Sequence, residues 1–83
     1  MSKKVQFETN LKLSDKLTEY ISNHPSLLKK HGESSYVLFI EGNDELNKMN
    51  SKLIENIKSS EKSVIKATHT TDKKNPWKFE FAF

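Results

Sequence analysis

A small α/β domain is the fold this sequence predicts. Its elements run in the order α-β-α-β-β, with a short mixed sheet, a parallel βαβ unit and an antiparallel C-terminal edge strand. Three features point there. The run Tyr36-Val37-Leu38-Phe39-Ile40 leads through Glu41-Gly42-Asn43-Asp44 into an amphipathic stretch, and then to a second apolar run from Val64 to Thr68. That is the order strand, tight turn, helix, strand. The tail Trp77-Lys78-Phe79-Glu80-Phe81-Ala82-Phe83 places an aromatic at every second position. Upstream, Leu11, Leu13, Leu17, Tyr20 and Ile21 fall largely on one helical face.

With 83 residues, one domain spanning 1–83 is expected, burying a smaller share of its surface than a larger protein does. Cys is absent. This removes disulfides, thiolate nucleophiles and Cys-based metal sites, and it fits a reducing compartment. No apolar run approaches the roughly 20 residues of a membrane span. The basic start Met1-Ser2-Lys3-Lys4-Val5 lacks the apolar core of a secretory signal. A cytoplasmic protein without a membrane partner is therefore expected. Net charge is +3, and all 14 basic residues are Lys. Arg is the usual bidentate reader of guanine edges and phosphates, whereas Lys acts as a point charge. Sequence-specific DNA reading is thus disfavoured, and the interspersed charges read as a solvated surface.

The first helix runs from about Asn10 to Asn23 with Thr9 or Asn10 as N-cap. Val5 and Phe7 fit a backward extension of it better than a short edge strand. His24-Pro25 breaks the helix, because Pro disfavours helical geometry in the residue before it and suits the first turn of a new helix. Ser26 to His31 supplies that short helix, and Gly32 takes the left-handed cap. Leu27 and Leu28 are expected to tuck onto the core. The run 36–40, apolar on both faces, reads as the central strand of a parallel sheet. The helix from about Asp44 to Ser59 carries a stripe of Leu46, Met49, Leu53, Ile54 and Ile57. Asn43 or Asp44 caps it, and Asp44 and Glu45 complement its dipole. Ser59 to Lys62 turns the chain, 64–68 returns as a strand parallel to the first through a right-handed crossover, and His69 to Pro76 is a loop. In the tail, Trp77, Phe79, Phe81 and Phe83 face one side and Lys78, Glu80 and Ala82 the other. Two long helices on opposite faces of the sheet would explain the apolar run 36–40 without a partner. Placed on the same face, they would leave an apolar surface for a dimer.

Chemistry-bearing motifs are few. Gly42, Asn43 and Asp44 form a candidate ligand turn at the carboxyl end of a parallel strand, where anions are drawn to free backbone N–H groups. One glycine does not make a phosphate loop, and Glu41, Asp44 and Glu45 oppose an anion, so turn plus helix cap is the plain reading; a hard cation on Glu41 and Asp44 is the alternative. His24, His31 and His69 match no zinc spacing, and no Ser sits in a nucleophile elbow. No catalytic residue, metal or cofactor is expected.

The aromatic strand supports two further readings. Trp77, Phe79, Phe81 and Phe83 are candidate interaction residues, since an exposed edge invites strand pairing. With Lys73, Lys74 and Lys78 they are also candidate contacts for single-stranded nucleic acid.

The pattern Asn10-Leu11-x-Leu13 through Tyr20-Ile21-x-x-His24-Pro25, then Val37-Leu38-Phe39-Ile40-x-x-x-Asp44-x-Leu46-x-x-x-Asn50-x-x-Leu53 and Val64-Ile65, resembles a family of small uncharacterised prokaryotic α/β proteins, classed as a domain of unknown function. The likeness covers about residues 10–68, mostly core and cap positions, and the aromatic strand from Trp77 departs from it. It implies helix–strand–helix–strand units and brings no activity or binding residues. The expected function is a non-enzymatic module for protein interaction or self-association. The alternatives are a nucleic-acid-binding protein of low specificity and a small-ligand or anion protein using the Gly42–Asp44 turn.

Overall fold

The computed structural model describes residues 1–32, 34–58 and 63–82, the side chain of Lys58 apart. The elements are α1 (Lys3–Ser22), α2 (Ser26–His31), β1 (Ser35–Ile40), α3 (Asp44–Lys58), β2 (Val64–His69) and β3 (Trp77–Phe81). The expected turn at Ser59–Lys62 and the candidate interaction residue Phe83 lie outside the described residues.

Val5 and Phe7 belong to α1, which starts at Lys3. Its N-cap is Ser2, whose Oγ accepts the Val5 N–H at 3.1 Å, and neither Thr9 nor Asn10 caps it. No Gly or Pro stands between Ser2 and Asn10, so a helix nucleated at Ser2 has no reason to stop. At its other end His24 Nδ1 donates to the Tyr20 carbonyl at 2.8 Å, and the two rings stack at 4.2 Å.

The sheet has the order β1-β2-β3. β1 and β2 run parallel, with Ser35 opposite Val64 and Ile40 opposite His69; β2 and β3 run antiparallel, with Ile65 opposite Phe81 and His69 opposite Trp77. The central strand is therefore β2, and β1, expected at the centre, lies at an edge. β1 is apolar on both faces because helices enclose it from more than one side. α1 lays Leu13 and Leu17 against one face, where they meet Ala67, Trp77 and Leu46, with Leu38, Ile40 and Phe79 packed around them. On the other face Val37, Phe39 and Val64 are buried beneath Ile54 and Ile57 of α3 and Ala82.

α3 itself runs along the free edge of β1. Ser35 and Glu41 give their N–H groups to Ser63 and His69, so backbone alternation turns Tyr36, Leu38 and Ile40 away from β2. Asn47 meets that edge: its Oδ1 accepts the Ile40 N–H at 2.9 Å and its Nδ2 donates to the Ile40 carbonyl at 2.8 Å. At Ile40 its amide thus takes the place of a neighbouring strand. One turn on, Asn50 Nδ2 donates to the Leu38 carbonyl at 2.6 Å. Asn50 is fully buried and is also tied to α1, exchanging bonds with Asn10 and accepting from Gln6 Nε2. The helices thus lie toward opposite faces, α1 on one and α3 reaching the other through Ile54 and Ile57 while also running along the β1 edge.

Three expected core residues are exposed. Leu28 points outward from α2, and Leu11 and Leu53 line, with Phe7, Tyr36 and Ile57, an open apolar groove between α1 and α3. Leu11 stands about 200° around the helix from Leu13, on the side of Phe7.

Candidate functional site

The aromatic strand is divided by its surroundings. Trp77 is buried, Phe79 half-buried and Phe81 58% exposed. Trp77 and Phe79 stack at 6.4 Å beneath α1, where Phe79 also meets Tyr20. His31 holds the exit of this row, its ring 5.0 Å from Phe79 and 6.0 Å from Phe81. His31 is itself buried, with Nδ1 2.7 Å from the Tyr36 hydroxyl. Burial pushes the His31 pKa below its ordinary value, with Lys30 adding to this, and burial pushes the Tyr36 pKa up. Both groups are therefore neutral near pH 7 and share one hydrogen bond.

The backbone of β3 has a free side. Ala82 N–H donates to the Val64 carbonyl at 2.7 Å and Thr70 N–H to the Pro76 carbonyl at 2.8 Å. The even-numbered residues thus bond β2, and the N–H and C=O groups of Trp77, Phe79 and Phe81 are directed away from it. None of these six groups has a partner among the described residues. On the face opposite the aromatics, Lys78 and Glu80 stand exposed.

The other candidate residues gather at the carboxyl ends of β1 and β2. Asn43 N–H donates to the Ile40 carbonyl at 3.1 Å, with Gly42 at a φ of 88° in between. Asn43 Oδ1 then accepts the Leu46 N–H at 3.1 Å as the N-cap of α3. Gly42, Asn43 and Asp44 therefore serve as turn and cap. The loop carrying Lys73 and Lys74 lies beside them, Thr71 Oγ1 donating to Glu41 Oε1 at 3.2 Å. Buried Thr70 closes this loop by donating to the Asn75 carbonyl, and Asp72 Oδ1 accepts the Lys74 N–H. That bond holds the Asp72 carboxyl below its ordinary pKa. Lys78 is on β3, on the face away from Trp77 and Phe79, so the structure does not bring lysines and aromatics together as one platform. Among the described residues no three His, Asp or Glu side chains cluster as metal ligands, and no helix is long and apolar enough to cross a membrane.

No family model, curated protein or solved structure matches this chain.

Sequence reasoning missed the two asparagines that bond the β1 edge at Ile40 and Leu38. Asn47 and Asn50 sit three residues apart on one helical face, next to Leu46. A polar pair inside an apolar stripe is the signal that was available.

Proposed function

We propose that this chain is a non-enzymatic protein-interaction module whose contact surface is the free edge of β3. What supports this is the unequal treatment of the two edges of one sheet. Asn47 and Asn50 bond three outward groups of β1, the Ile40 N–H, the Ile40 carbonyl and the Leu38 carbonyl, while none of the six outward groups of Trp77, Phe79 and Phe81 has a partner among the described residues. An extended segment laid there gains main-chain hydrogen bonds as a fourth strand, and Phe81 adds an apolar contact.

The test is amide hydrogen exchange and chemical shift on the full chain, kept dilute enough to be monomeric and titrated to millimolar with an alternating Thr-Val octapeptide carrying one Lys and one Glu. The expected result is protection of the Trp77, Phe79 and Phe81 amides and little change at Lys78 and Glu80, whose amides already bond β2. Shifts confined to the Gly42 turn or the Phe7–Leu53 groove, or none at all, would overturn the proposal.

A further inference from the structure

We infer that the segment added to β3 is the β3 of a second copy of this chain, paired antiparallel about a two-fold axis through Phe79. This rests on the interaction reading above and names its partner. The deciding observation is the charge order along the strand. The outward residues are Trp77, Phe79 and Phe81, and pairing through them requires outward residues to face outward residues. With Phe79 opposite Phe79 of the second copy, Trp77 and Phe81 face each other, and all three residues donate and accept. Lys78 of each copy then lies directly opposite Glu80 of the other, on the solvent face.

The neighbouring registers are worse in two ways. Slipping the strands by two residues sets one outward residue of β3 opposite a position beyond the strand's ends. It also sets Lys78 against Lys78 or Glu80 against Glu80, and like charges directly opposite one another are unfavourable. Slipping by one residue places outward groups opposite inward ones and forms no ladder. The centred register alone matches hydrogen bonds and charge together. It also sets Phe81, the exposed end of the aromatic row, against the β3 strand of the second copy on the same face.

The surface is small. A five-residue edge lies below the roughly 800 Å² per partner of a standard complex, so weak, concentration-dependent pairing is expected. Sedimentation equilibrium of the full chain from about 10 μM to 2 mM tests this, with Lys78→Glu, Glu80→Lys and the double swap Lys78→Glu/Glu80→Lys. Both side chains are solvent-exposed, and circular dichroism checks that each variant is folded. Each single change should weaken pairing about tenfold, since two opposed pairs turn from attraction to repulsion. The double swap should return it to within about threefold of wild type. Three equally associating variants would place the interface elsewhere and overturn self-pairing. A wild-type monomer at 2 mM would also overturn it. Protection of the edge amides by the octapeptide in that same sample would leave the interaction module standing with a different partner, and its absence would remove both.

Discussion

Replacing Asn50 with Ala tests the fold at its most connected side chain. Asn50 is fully buried and joins three elements: its Nδ2 donates to the Leu38 carbonyl and Asn10 Oδ1, and its Oδ1 accepts from Gln6 and Asn10. Gln6 and Asn10 are half-buried, so on truncation they can turn toward water, and each loses about 0.5–1 kcal/mol. The Leu38 carbonyl is fixed in the β1 edge beneath α3 and has no substitute donor, which costs about 1–3 kcal/mol. Together this comes to about 3 kcal/mol, against the roughly 4–12 kcal/mol expected for a domain of this length. The melting temperature should fall by about 15 °C. Urea unfolding should show a lower midpoint with an unchanged slope, because the fold is retained until it unfolds. Asn50→Leu should do no better, since it buries the same partners against a methyl surface. A loss below about 1 kcal/mol, or a Leu variant more stable than wild type, would refute the claim that this amide holds α1 and α3 to the β1 edge.

Leu13→Ala should cost about 2–4 kcal/mol, whereas Leu11→Ser should stay within about 0.5 kcal/mol of wild type; equal losses in urea unfolding would contradict the burial of one and the exposure of the other. Asn43→Ala should cost about 1 kcal/mol through the lost cap. Gly42→Ala should cost a similar amount, through its left-handed φ alone, because nothing lies within 4 Å of an added Cβ; a neutral result in thermal melts would refute the turn geometry. His31 and His69 both have pKa values lowered in the folded state, chiefly by burial, so the unfolded chain takes up protons first. Stability is fully present above the unfolded value of about 6.5 and is lost as pH falls through it, until the folded imidazoles also protonate. His31→Gln should flatten part of that dependence, and identical melting temperatures at pH 7.5 and 5.5 for wild type would refute it.

The βαβ unit and the alternating tail were legible because each is a local pattern. Gly42 between an apolar run and an Asn cap leaves few alternatives to a turn, and a two-residue period in Trp77–Phe81 fits only a strand. The place of β1 in the sheet was not legible. A run apolar on both faces reads as a central strand, yet here the same burial comes from α1 on one face and from α3, which runs along the edge and reaches the other face through Ile54 and Ile57. Which of these holds depends on Asn47 and Asn50, and on a helix an asparagine is as ordinary in water as it is against a strand edge. The site was half legible. The alternation of Trp77, Phe79 and Phe81 marked the strand, but their grading from buried to exposed follows from how far α1 and α2 extend over it, which no local pattern encodes.

Closing one edge has a consequence for assembly. If β3 pairs with β3 of a second copy, the resulting sheet ends at both sides in β1, and each β1 is covered by α3 through Asn47 and Asn50. Both β3 edges are then used, and α3 bonds the Ile40 and Leu38 part of each remaining β1 edge, so a two-fold contact of this kind terminates instead of propagating into fibres. Light scattering should therefore show a mass that rises with concentration from 9.6 kDa and levels off at twice that value. A mass that keeps climbing would mean that the β1 edge, or the Phe7–Leu53 groove, also recruits copies, and that α3 does not close the sheet as its hydrogen bonds indicate.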